Sequence, residues 1–92
     1  MTGPRVSQVE FEPDAARELR KLGGKDRDQI VAYLRTRIAT TEDPTRFGKA
    51  LLGDYKGYWR YRVGDFRIIA RIEGDRFVVV IVRVGHRRLV YE

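Results

Sequence analysis

Cysteine is absent from the 92 residues. That excludes a disulfide framework and any thiolate metal site. There is a single histidine, His86. It has no second titratable group close by in sequence to complete an acid–base pair. No glycine-rich phosphate loop, no nucleophilic serine or cysteine arrangement and no metal-ligand cluster is visible. No cofactor or metal is therefore expected. No apolar run reaches membrane-spanning length and no signal peptide is apparent, so a soluble cytoplasmic protein with no membrane partner is the expectation. Repeats, low-complexity tracts and linkers are also missing. At this length one domain, 1–92, is expected.

Positive charge is what the chain has in excess. Its net charge is +6, and residues 46–92 hold eleven Lys/Arg against five Asp/Glu, whereas residues 1–45 balance eight against eight. All the surplus sits in the second half. Such a distribution favours nucleic acid or another acidic partner.

The same half carries the strongest structural pattern. Residues 58–63 and 66–72 alternate, and 77–84 form a nearly continuous β-branched run. Gly64-Asp65 and Gly74-Asp75 separate them as glycine-first two-residue turns. With Gly64-Asp65 as the loop, Val63 faces Phe66, Arg62 faces Arg67, Tyr61 faces Ile68 and Arg60 faces Ile69. Alternation then places Trp59, Tyr61, Val63, Phe66, Ile68 and Ala70 on a core face. Tyr58, Arg60, Arg62, Arg67, Ile69 and Arg71 share the other. Arg62 opposite Arg67 is a destabilising pair. The simplest physical reason to keep it is a polyanion seated on that face.

Upstream, residues 1–4 read as a frayed end and 5–11 as a short strand, with Val9 and Phe11 on one face and Glu10 and Glu12 on the other. Pro13 suits the first turn of a helix, where its missing N–H costs nothing. Asp14 and Glu18 near that end favour the helix dipole. Ala15, Ala16, Leu19 and Leu22 line one side before Gly23-Gly24 ends the helix. Asp26 is a plausible cap for a second helix running to Ala39, with Ile30, Val31, Leu34 and Ile38 at helical spacing. Pro44 disfavours helix at Asp43, and residues 45–56 are expected as a loop. The predicted order is β-α-α-β-β-β, an α+β fold. Its mainly antiparallel sheet carries a helical hairpin on one face and a basic concave face on the other.

This order, read together with VEFEPDAARELRKLGG, KALLGDYKGYWRYRVGDFRIIARI and the ending VIVRVGHRRLVYE, resembles the RelE/ParE superfamily of type II toxin–antitoxin toxins. The likeness covers nearly the whole chain and looks closest to the RelE branch. It implies a RelE-like fold and a metal-independent endoribonuclease that cuts mRNA on the ribosome and inhibits translation. The partners it implies are the ribosome, mRNA and a cognate RelB-like antitoxin. Two alternatives stand beside it: a ParE-like inhibitor of DNA gyrase, and a catalytically inactive nucleic-acid-binding module.

Mapped residue by residue, the resemblance implies catalytic roles for Arg60, Arg67, Arg87 and Tyr91. Arg62, Arg71, Arg83, His86 and Arg88 are the implied RNA contacts, and Arg83 and Arg88 can equally be solubility charges. Where some relatives have a lysine pair, this chain has Tyr58 and Arg60. Its tail is also two residues shorter between Arg87 and Tyr91 than in some relatives. Arginine forks bind phosphate oxygens bidentately, but a pKa of about 12.5 or higher makes arginine a poor acid or base. Tyr91, beside cations, is the better candidate base. Arg87 is expected to project beside Arg67.

Overall fold

The computed structural model of the chain describes residues 7–74 and 78–86. The expected frayed end, the start of the first strand, Asp75 and Phe77 lie outside the described residues. Five strands form one sheet: β1 (Gln8–Phe11), β2 (Lys49–Ala50), β3 (Trp59–Val63), β4 (Phe66–Glu73) and β5 (Val78–His86), in the spatial order β1-β5-β4-β3-β2. β1 runs parallel to β5, and the other pairs are antiparallel. The pattern of the sequence predicts four strands, and the fifth is β2. Two residues are too few for alternation to show, so the strand exists only because Lys49 and Ala50 find Arg60 and Trp59 beside them.

The first hairpin closes as expected. Gly64 has φ 58°, a value that a side chain resists and glycine adopts freely. The register agrees with the alternation: Val63 opposite Phe66, Arg62 opposite Arg67, Tyr61 opposite Ile68, Arg60 opposite Ile69 and Trp59 opposite Ala70.

Two helices cover the core face. α1 (Pro13–Arg20) begins with its proline in the first turn and buries Ala15. α2 (Gly24–Tyr33) is capped at Gly23, not at Asp26; Asp26 sits in the first turn, where its charge still favours the helix dipole. Beyond α2 the coil widens into a π-helical turn, Leu34–Ile38, closed by Ala39 N–H donating to Leu34 O at 2.8 Å. Thr36 Oγ1 donates back to Ala32 O at 2.7 Å there, a bond that loosens the regular helical ladder.

Ile30, Leu34 and Ile38 from this helical run, with Ala15, pack onto Tyr61, Ile68, Ala70, Val79 and Ile81 from the sheet. Tyr61 is fully buried, and its hydroxyl donates to Pro44 O at 2.9 Å. Gly48 lies against that ring; an added Cβ would sit 2.9 Å from Tyr61 Cε1. Trp59, expected in the core, is only half-buried. It lies at the sheet margin, flanked outward by Ala50 of the two-residue β2.

The opposite face is less open than alternation suggests. Leu51 and Ile69 are buried there in a second small cluster, with Tyr55, Tyr58 and Val82 packed against them. The segment after β2 therefore folds over the middle of the sheet. Among the described residues no helix is long and apolar enough to cross a membrane.

Candidate nucleic-acid interface

The hairpin register puts Arg60, Arg62 and Arg67 on one face of β3 and β4. Residues paired across strands share a face. Arg62 and Arg67 are such a pair, and Arg60 faces Lys49 on its other side. Lys49 thus joins the basic patch. The sequence left it in a loop, and no periodic signal could have placed it.

The three arginines differ in exposure. Arg62 is exposed, Arg60 is half-buried and Arg67 is 8% exposed. Burial limits the orientations open to the Arg67 fork. The Arg60 Nε is buried with no hydrogen-bond partner among the described residues. An unanswered buried donor costs about 1–3 kcal/mol. Across from Arg67 on β5 stands Gly85, which has no side chain to crowd that position.

Other expected contacts are held by acids or face away. Arg71 is on the same face, but its guanidinium is held by two carboxylates. Nη1 donates to Glu12 Oε2 at 2.6 Å and Nε to Glu73 Oε2 at 2.6 Å. The Glu73 and Glu12 hydrogen bonds raise its pKa above the ordinary arginine value. Arg83 Nε donates to Glu18 Oε2 at 3.2 Å. His86 pairs in register with Phe66, and its ring meets the Phe66 ring edge-on at 5.9 Å between centroids. Phe66 packs on the core side, so His86 lies on the face away from the arginines. Arg87, Arg88 and Tyr91 lie outside the described residues.

Sequence reasoning missed the acids. Glu12 carried a usable signal: alternation from Val9 and Phe11 puts it on the arginine side. Glu18 gave none, because α1 had to be docked on β5 before its reach was known.

The patch can bind phosphate. Arg60, Arg62 and Lys49 offer donors at the hairpin side of the face, next to the buried Arg67, and arginine forks match two phosphate oxygens at once. The aromatic cluster beside them holds Tyr55 and Tyr58 edge-on, 6.3 Å between centroids.

Known proteins share this architecture. The model of the family described as "ParE toxin of type II toxin-antitoxin system, parDE" matches residues 9–91. Toxin RelG of Mycobacterium tuberculosis is 32% identical over 83 residues, covering 90% of this chain and 93% of the relative. The RelBE2 toxin–antitoxin complex from Mycobacterium tuberculosis contains a chain that superposes with a TM-score of 0.78 at 32% identity, covering 92% of this chain and 100% of that one. The isolated RelE toxin of E. coli superposes with a TM-score of 0.60 at 21% identity, over 88% of this chain and 84% of that one. That last likeness is one of fold.

Proposed function

Because this chain belongs to the ParE toxin family of type II toxin–antitoxin systems, we propose that it is the toxin of such a pair and acts as a ribosome-dependent mRNA endoribonuclease. The observation that carries the nuclease reading is the basic patch of Arg60, Arg62 and Arg67, in which a buried Arg60 Nε has no acceptor among the described residues. Exposed Arg62 and Lys49, on either side of Arg60, offer the donors that a phosphate meets.

The chemistry asks little of the protein. The RNA 2′-oxygen attacks the adjacent phosphorus, the bond to the 5′-oxygen breaks, and the products are a 2′,3′-cyclic phosphate and a 5′-hydroxyl. A base takes the 2′-hydroxyl proton, and the leaving 5′-oxygen gains one. Arg60, Arg67 and Arg87 stabilise the charge that grows on the phosphate. Tyr91 serves as the base, and Arg62 and Arg88 contact the RNA backbone. Arg71 and Arg83 are held by acids and contribute less. The ribosome orients the message, which lets so spare a site suffice. No metal or cofactor takes part. The partner that silences the toxin is a cytoplasmic, RelB-like antitoxin whose acidic or amphipathic segment covers the basic face.

One specific observation favours a second reading. The family model that matches is described by its ParE members, and inhibition of DNA gyrase is the activity that reading entails. A single experiment separates the two. Added to a cell-free translation system, the protein should leave cleaved message on stalled ribosomes, while purified gyrase keeps supercoiling DNA in its presence. Gyrase inhibition without mRNA cuts would establish the second reading instead. Within the nuclease reading, Arg87→Ala should slow single-turnover cleavage by roughly 10²–10³. Tyr91→Phe should slow it by roughly 10²–10⁴ with binding nearly unchanged. Arg88→Ala, a backbone contact with no chemical role, should weaken ribosome binding and leave the single-turnover cleavage step near wild type.

A further inference from the structure

β5 contains an irregularity with a consequence for the site. Ile69 pairs with Arg83 and Ala70 with Ile81, so Val82 is an extra residue in the strand. Bulges of this kind interrupt the ladder and re-aim the side chains beside them. On its other side β5 loses its partner at the same level. β1 ends at Phe11, and the last bond there is Glu12 N–H donating to Ile81 O at 2.9 Å. From Val82 onward the outer edge of β5 has no strand beside it among the described residues.

α1 occupies that position. The Glu18 carboxylate accepts the Val84 N–H on Oε1 at 2.8 Å and Arg83 Nε on Oε2 at 3.2 Å. One side chain thus replaces the missing strand and fixes the end of β5 just beyond its bulge. Val84 is followed by Gly85, the residue opposite Arg67. Arg83 is also drawn to the carboxylate rather than left to the RNA.

We infer that Glu18 is a positioning residue: by anchoring the Val84 amide it holds the end of β5, with Gly85, in place beside Arg67, the arginine proposed to meet the scissile phosphate. The inference rests on the nuclease reading above. Loss of the anchor lets the strand end shift, and a misplacement of about 1 Å at a reacting centre can lower the rate about 10²-fold.

The test uses three variants of the full chain. Glu18→Ala removes the acceptor. Glu18→Asp keeps the charge but shortens the reach by one methylene. Glu18→Gln keeps the reach and loses the charge. Two readouts are taken: hydrogen exchange of the Val84 amide relative to Ile68 and Ile81, and single-turnover mRNA cleavage on programmed ribosomes with a pull-down for binding. Glu18→Ala and Glu18→Asp should exchange Val84 at least tenfold faster. They should cut about 10–100-fold more slowly with ribosome binding retained, and Glu18→Gln should restore most of both. Unchanged Val84 exchange in Glu18→Asp overturns the anchoring. So does a Glu18→Gln variant as impaired as Glu18→Ala, because an acceptor at full reach would then not suffice to hold the amide. If Glu18→Ala does not fold, the Asp and Gln pair decides alone. A wild-type protein that fails to cut would sink the nuclease reading, and the exchange readout would still judge the anchor.

Discussion

Arg62 and Arg67 face each other across the β3–β4 hairpin, and Arg62 is exposed. The pair should weaken the fold and serve the ligand. Like charges directly opposite in a sheet cost a share of the roughly 0.2–1 kcal/mol that such pairs are worth. Arg62→Thr removes one charge and leaves a β-branched residue suited to a strand. The variant should therefore gain about 0.5 kcal/mol. For a domain of this size that raises Tm by about 2–4 °C. The gain should depend on salt, because the Debye length shrinks from about 30 Å at 0.01 M to about 3 Å at 1 M. Thermal melts of both proteins at those two salt concentrations test this. The same substitution should weaken RNA binding and lower the slope of log K against log salt by about 0.7, the share of one phosphate on a single strand. An Arg62→Thr variant that melts below wild type in low salt refutes the reasoning. So does a Tm difference that persists in 1 M salt.

The same geometry dictates other outcomes. Tyr61→Phe strips the donor from the buried Pro44 carbonyl and should cost about 1–3 kcal/mol by chemical denaturation. Burial, then Tyr33 and Asp43, raise the Tyr61 pKa above its ordinary value. A raised folded pKa gives stability that is whole below about pH 10 and fades above it as the unfolded hydroxyl ionises. Wild type should lose stability more steeply than Tyr61→Phe across that alkaline range. Arg71→Ala should leave cleavage and ribosome binding within about twofold of wild type, since Glu12 and Glu73 already hold the guanidinium; a tenfold loss would return Arg71 to the RNA surface. Gly64→Val should destabilise the hairpin, because φ 58° excludes a β-branched residue, and its melt should fall well below that of Arg62→Thr.

The hairpin was legible because three local signals agree in it: glycine at a positive-φ turn, alternation on both arms apart from Ile69, and arms that pair residue for residue. They determine the register that places Arg60, Arg62 and Arg67 together. The helices were legible from Pro13 and from the spacing of Ile30, Leu34 and Ile38. What escaped needed tertiary contact. β2 is two residues long and exists only as a neighbour of β3. Segment 51–58 covers Ile69, an outcome that no local pattern encodes. The bulge at Val82 changes which side of the ladder the later residues of β5 take, so His86 lies with Phe66 and not with Arg67. Asp26 satisfied the composition rule for a helix cap, but the chain turns at Gly23, three residues earlier.

The charge imbalance of the second half also changes meaning once the fold is known. Glu12, Glu18 and Glu73 are placed against Arg71 and Arg83. Two of those acids come from the electrically balanced first half, so the folded molecule redistributes charge that the sequence keeps apart. The acids quench Arg71 at the far end of β4 and Arg83 on β5. Among the described residues Lys49, Arg60 and Arg62 carry no ion pair, and they lie side by side next to Arg67. Among the described residues, a polyanion approaching the sheet therefore meets positive charge gathered on the hairpin side, not a uniformly basic face. Charge gathered in this way orients a backbone as well as attracting it. That is what the proposed cleavage would require: the phosphate must arrive at one place, in one orientation, beside groups whose own positions are held by packing and by carboxylates.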